Sequence, residues 1–156
     1  MQGPLSPTYI NNSQRHKHVQ FIPLPPREEF TPFPDTVDKT TSDHDATLPF
    51  QHFCLDLPLE KTSASLYSTY AALCSKVQQS EDNKISYNFV MTTEWMFISP
   101  RIKEDYVDQG YTINVNSTGM VGLLLTKSEQ ESAFVENIGP ITILAQVSKP
   151  WPQTTI

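Results

Sequence analysis

Two histidines and a glutamine at alternate positions, His16-Lys17-His18-Val19-Gln20, open the chemistry of this chain. The segment around them, residues 15–22, reads as a strand. Val19, Phe21 and Ile22 favour extended backbone, and Pro23 and Pro25 cannot donate to a continuing ladder. Side chains of a strand alternate between faces, so His16, His18 and Gln20 project together, roughly 6.6 Å apart along one face. A row that close can present an imidazole to one phosphorus atom while its neighbours hold the oxygens. Three readings of such a pair stay open: exposed surface residues, half of a zinc site, or a nucleophile with its helper. Zinc requires further Cys, His or carboxylate ligands at recognisable spacing, and Cys54 and Cys74 have none. His44, between Asp43 and Asp45, lies in a polar stretch where solvated side chains are the ordinary outcome. His52 is expected to be a packed, hydrogen-bonded strand histidine.

The elements that would position this row follow from patterning. Residues 26–47, with Pro32, Pro34 and a run of Thr, Ser and Asp, lack apolar periodicity and are expected to form a flexible linker. A strand over residues 49–55 puts Phe50, His52 and Cys54 on one face and Gln51, Phe53 and Leu55 on the other. Ser63 is expected to cap a helix over 63–79, whose core stripe is Leu66, Tyr70, Leu73 and Val77, widened by Tyr67 and Cys74. Strands over 86–91 and 95–99 flank a three-residue loop and end at Pro100. A surface loop over 101–109, a strand over 111–115, a turn at 116–119 and a buried strand over 120–126 come next. Gly122, inside that last strand, signals a close approach by a helix or ligand. Ser128 caps a helix over 129–138, Gly139-Pro140 breaks it, and 141–147 forms a short helix or turn. Strands and helices intermixed with antiparallel hairpins imply an α+β fold.

Composition bounds the function. The chain has 156 residues, 38% of them hydrophobic and 18% charged, which suits a globular domain. A formal net charge of −6 argues against a broad nucleic-acid surface, although a polyphosphate needs only a local positive patch. Two cysteines without a disulfide framework fit a reducing compartment. No apolar run approaches a membrane span, and no signal peptide opens the chain. A cytoplasmic protein, with the nucleus also open to it, and no membrane partner is therefore expected.

Three blocks carry a family resemblance. Ser13-Gln14 followed by His16-x-His18-x-Gln20 resembles the signature of the histidine-triad superfamily in its transferase branch. Tyr87-Asn88-Phe89-Val90-Met91-Thr92-Thr93-Glu94-Trp95-Met96-Phe97-Ile98-Ser99-Pro100-Arg101 and Asn116-Ser117-Thr118-Gly119-Met120-Val121-Gly122 are similar to the C-terminal portion of the diadenosine tetraphosphate phosphorylase (ATP adenylyltransferase) family. The resemblance implies a histidine-triad-like fold: a curved, mostly antiparallel sheet with packed helices, forming an incomplete half of a larger two-part enzyme. It divides the chain into a signature region over 1–25, a linker over 26–47, an adenylyltransferase-like domain over 48–150 and a tail over 151–156. By resemblance, His18 is the nucleophile that forms an adenylyl-histidine. His16 orients it through its backbone carbonyl, and Gln20 donates to phosphate oxygen. Ser13 and Gln14 bind phosphate, with Asn116, Ser117 and Gly119 as weaker nucleotide-binding candidates, since turns need such residues for geometry alone. The implied reaction is phosphorolysis of diadenosine tetraphosphate to ATP and ADP, with inorganic phosphate as co-substrate. No covalently bound cofactor is implied, and any divalent cation would accompany the nucleotide. Pro7-Thr8-Tyr9-Ile10-Asn11-Asn12 stands where the family has a shorter link, a departure in the loop that feeds Ser13. The missing N-terminal half is an implied partner, and a truncated, non-catalytic interaction or structural form is the alternative. A uridylyltransferase relative is disfavoured, because that branch usually has proline among the motif's spacers, here Lys17 and Val19.

Overall fold

Trp95–Arg101 (β3) is the most buried strand of the chain, with six of its seven residues buried. It can be so because both its edges and both its faces are covered. Phe53–Asp56 (β1) pairs with it on one side and Ser86–Met91 (β2) on the other, both antiparallel, giving the order β1-β3-β2. These elements belong to a computed structural model that describes residues 20–36, 48–78 and 86–152. The register places Asn88 opposite Ser99, Phe89 opposite Ile98 and Val90 opposite Phe97. Alternation then sorts the side chains: Met96, Ile98, Phe53, Leu55, Tyr87 and Phe89 face one way, while Trp95, Phe97, Cys54 and Val90 face the other.

The first face is covered by Ser63–Gln78 (α1), which lays Leu66, Tyr70, Leu73 and Val77 on the sheet. The expected stripe is present except at Tyr67, which is exposed. The cap lies one residue earlier than expected. Thr62 Oγ1 accepts from the backbone N–H of Ser65, while the Thr62 N–H donates to Ser65 Oγ, a reciprocal closure of the first turn. The second face carries the larger core, in which Phe50, Trp95, Phe97, Ile113, Val115 and Met120 meet Phe134, Val135, Ile143, Leu144 and Val147 from Glu129–Ile138 (α2) and Pro140–Val147 (α3). Ser128 caps α2 as expected, its hydroxyl accepting from Glu131 N–H, and Glu131 reaches back to the Lys127 N–H.

Several expectations need correcting. Pro100 does not end β3; it lies inside the strand, opposite Tyr87. The register extends to put Gln51 on its other side, where a strand residue would demand a ladder bond that Pro100 cannot donate. Gln51 avoids that loss: its N–H donates to Lys149 carbonyl oxygen and its carbonyl accepts from Ser99 Oγ. Residues 105–108, expected as loop, form Asp105–Asp108 (β4), paired with Tyr111–Asn114 (β5) in a separate two-stranded sheet. Gln109 (φ 49°) and Gly110 (φ 84°) make the tight turn, whose two positive φ values suit the twist of a hairpin. The expected buried strand over 120–126 is replaced by a 3-10 turn, Gly119–Val121, followed by irregular chain. Gly122 has φ 112°, and a Cβ there would sit 3.2 Å from the Phe30 ring. A close approach does occur at this glycine, but an aromatic ring makes it.

That ring belongs to the stretch expected to be a flexible linker. Residues 26–36 instead pack on the core as a strap. Pro32 and Pro34 are buried, Phe33–Asp35 forms a 3-10 turn, and Asp35 Oδ1 accepts from the Trp95 indole N–H at 2.6 Å. Arg27 closes the strap with a 2.8 Å ion pair to Glu94 and a longer one, 3.7 Å, to Asp35. Residues 37–47, with His44, lie outside the described residues. Trp151, in the stretch assigned as a tail, packs as well: its indole donates to Leu48 carbonyl oxygen, and its ring packs on His52 and Phe53.

Candidate functional site

Most of the histidine signature lies outside the described residues: Ser13, Gln14, His16 and His18 have no structural account. Gln20 is the first described residue. It is exposed, belongs to no strand, and makes no hydrogen bond among the described residues. The expected strand over 15–22 is therefore corrected for its described end, 20–22. Phe21 is 92% exposed and Ile22 54%, so their β propensity finds no pleated surface to pack against. Pro23 and Pro25 keep the chain out of a ladder until the strap begins.

The structure does bring Asn116, Ser117 and Gly119 together, at the outer edge of β2. The Phe89 N–H points away from β3 and donates to Ser117 Oγ at 3.2 Å, so this turn covers that amide on the outer edge of β2. Asn116 Oδ1 accepts from both Thr118 Oγ1 (2.8 Å) and the Gly119 N–H (3.0 Å), which pins the turn. The Gly119 amide is thereby committed and buried. Ser117 Oγ serves here as the acceptor of the Phe89 bond.

On the second face of the β2–β3 pair stand two polar side chains that sequence reasoning left unassigned. Asn88 is 4% exposed on the second face of the sheet, and its Nδ2 has no hydrogen-bond partner among the described residues. Arg101, diagonal to it across the Ser99 pair, keeps a side chain only 13% exposed; it donates to Ser86 Oγ at 2.9 Å and faces Glu104 at 3.6 Å. The available signal was the alternation of β2, which sets a polar Asn88 between inward positions that should be apolar.

Other titratable groups are tied into structure. His52 is buried, as expected of a packed histidine. Its Nδ1–H donates to the Phe50 carbonyl at 2.9 Å, and Phe33, Phe50, Phe97 and Trp151 surround its ring. The Tyr70 and Tyr87 hydroxyls meet at 2.6 Å, and burial, with Tyr87 second, pushes the Tyr70 phenol well above its ordinary range, so it stays protonated. Among the described residues no group of three or more His, Cys, Asp or Glu could hold a metal ion, and no helix is long and apolar enough to cross a membrane.

An antiparallel sheet flanked by helices, with a polar turn on its edge and an H-x-H-x-Q row upstream, defines an α+β domain of the histidine-triad-like kind. The family model of the ATP adenylyltransferase C-terminal domain matches residues 46–150, and the chain belongs to that family. Protein APA1 of Saccharomyces cerevisiae is 29% identical over 149 residues, covering 82% of this chain and 44% of that protein. Among solved structures, yeast Ap4A phosphorylase Apa2 in complex with AMP is 27% identical at a TM-score of 0.71, covering 92% of this chain and 53% of that one. Another crystal structure of Apa2 gives a TM-score of 0.65 at 23% identity, over 81% and 48% of the two chains. The chain thus spans about half the length of the relatives it matches.

Proposed function

We propose that this chain carries the histidine signature and C-terminal domain of a nucleotidyltransferase that cleaves dinucleoside polyphosphates by phosphorolysis. The observation that carries the reading is order along the chain: His16-x-His18-x-Gln20 stands immediately upstream of a domain of the ATP adenylyltransferase family at residues 46–150. The similar solved structure is a yeast Ap4A phosphorylase in complex with AMP, which supports an adenine nucleotide as ligand.

In this reading a ring nitrogen of neutral His18 attacks the α-phosphorus of diadenosine tetraphosphate. The phosphorus–oxygen bond to the remaining chain breaks, ATP departs, and AMP stays on the histidine as a phosphoramidate. Inorganic phosphate then attacks the same phosphorus, releasing ADP and restoring the imidazole. An imidazole with an ordinary pKa of about 6.5 is mostly unprotonated at neutral pH and needs no separate base for the first step. His16 orients His18 through its backbone carbonyl. Gln20, Ser13 and Gln14 hold phosphate oxygens, with Asn116, Ser117 and Gly119 bordering the nucleotide. An amide at Gln20 cannot take a proton from water, which favours phosphate as the acceptor. A divalent cation, where one takes part, arrives with the nucleotide. Nothing in this chemistry requires a membrane, in keeping with a cytoplasmic enzyme.

The test is trapping of labelled adenylate on the protein without phosphate, followed by peptide mapping. Label is expected on His18, lost in His18→Asn by several powers of ten in rate and retained in His16→Asn. Gln20→His is expected to shift the acceptor from phosphate towards water. Label on His16, His44 or His52 refutes the assignment of the nucleophile. A chain that takes no label under any condition supports the non-catalytic alternative.

A further inference from the structure

The strap connects the domain to Gln20, the one signature residue that the structure describes, and the connection is stiff. Residues 20–26 belong to no helix or strand. Pro23, Pro25 and Pro26 each fix their own φ at about −65° and bar the residue before them from helical backbone. Every residue from 22 to 26 is therefore restricted by a proline at its own position or the next, which makes a semi-rigid spacer. At about 3.1 Å per residue it can hold Gln20 up to about 22 Å from Arg27, so a small tilt at its base displaces Gln20 most. That base is well built. The Pro26 carbonyl accepts from the Glu29 and Phe30 N–H groups at 2.9 and 3.0 Å, and Thr31 Oγ1 donates to the Arg27 carbonyl at 3.3 Å. From this turn Arg27 donates to Glu94 Oε2 at 2.8 Å, and the same guanidinium nitrogen stands 3.7 Å from Asp35 Oδ2. Glu94 lies in the β2–β3 hairpin loop, where Thr92 Oγ1 accepts from the Glu94 and Trp95 N–H groups. Arg27 is thus the first strap side chain, in chain order, with a described polar contact to the rest of the domain. An ion pair this exposed adds little to stability. It does fix the direction in which the spacer leaves the domain.

We propose that Arg27 is a positioning residue: its ion pair with Glu94 latches the base of the proline spacer and so sets where Gln20 stands. The inference deepens the nucleotidyltransferase reading and rests on it for the task of Gln20, which is to hold phosphate oxygen and favour phosphate over water as acceptor. Arg27 touches no reacting atom in this account and acts only through the spacer.

The test pairs two measurements on the 156-residue chain and its Arg27→Met, Arg27→Lys and Glu94→Gln variants, with thermal melts as a control for folding. The first is the backbone amide order parameter of Leu24 by NMR relaxation, which reads motion on the picosecond-to-nanosecond timescale. It is expected near the rigid range in the wild type, below about 0.6 in Arg27→Met and Glu94→Gln, and restored in Arg27→Lys, since a single N–H donor makes the 2.8 Å contact. The second is the ratio of phosphorolysis to hydrolysis when the labelled adenylyl-protein is discharged. That ratio is expected to fall at least threefold in Arg27→Met and Glu94→Gln at nearly unchanged Tm, and to recover in Arg27→Lys. The double variant Arg27→Met with Glu94→Gln should be no worse than either single one, because both break the same latch. A Leu24 order parameter that is already low in the wild type, or unchanged in both latch variants, overturns the inference and leaves the nucleotidyltransferase reading standing. So does a lowered order parameter with an unchanged acceptor ratio. A wild-type chain that takes no adenylate overturns the reading and, with it, the task assigned to Gln20.

Discussion

At the scale of single residues, burial decides which polar contacts carry energy. Asp35 and Glu94 both meet the strap's contacts with the hairpin, yet the Asp35 carboxylate is 8% exposed and that of Glu94 60%. Removing the indole donor by Trp95→Phe strands a buried carboxylate and is expected to cost about 2 kcal/mol. Arg27→Met breaks an ion pair whose partners are both well solvated and is expected to cost less than about 1 kcal/mol. Urea unfolding of the two variants measures the difference; equal losses would mean that the strap is held by its exposed end. The same reasoning makes Asn88 conspicuous, since an unpaired buried amide forgoes about 1–3 kcal/mol.

At the scale of elements, the strap and the 3-10 turn Gly119–Val121 depend on each other through one glycine. Gly122 has φ 112°, a conformation costly for a residue with a side chain, and Phe30 lies where a Cβ would project. Gly122→Ala is expected to destabilise the chain by about 2 kcal/mol. Phe30→Ala removes only the contact, so the double variant should recover a minor share of the Gly122→Ala loss, leaving the backbone term intact. Full recovery in a double-mutant cycle by thermal melts would show that crowding, not φ, is what the glycine serves. In either case the turn that presents Ser117 to Phe89 is fixed from behind by a segment about ninety positions earlier in the chain, Phe30.

At the scale of the whole molecule, β1 and β2 are terminal strands of a three-stranded sheet, and Ser117 covers β2 at one amide. Outer strands offer unpaired backbone groups to any further strand. The chain covers 44% of its yeast relative and about half of the matched structures, which makes the portion it does not cover the natural variable for a test of the proposed turnover. Joining the 156-residue chain to the portion of its relatives that it does not cover is expected to raise phosphate-dependent cleavage of diadenosine tetraphosphate at least tenfold over the chain alone. Equal rates would show that the signature and the C-terminal domain suffice.

Elements whose pattern depends on local periodicity were legible in the sequence. The apolar stripe of α1, the Ser128 cap and Gly139-Pro140 break around α2, and the β2–β3 hairpin all follow from spacing and turn chemistry, which act over a few residues. The α+β class and the family resemblance were legible for the same reason. What tertiary structure alone decided involves partners distant in sequence. Pro100 can stay inside β3 because Lys149 and Ser99 Oγ satisfy Gln51. β4 needed β5 to become a strand, and residues 26–36 became a packed strap because Trp95 offered Asp35 a buried donor. The candidate site divides along the same line. His16, His18 and Gln20 are visible as an alternation of residue types, whereas Asn88 and Arg101 gain meaning only when β2 and β3 pair in register. A hydrogen-bond deficit is a property of three-dimensional surroundings, and no single stretch of sequence contains it.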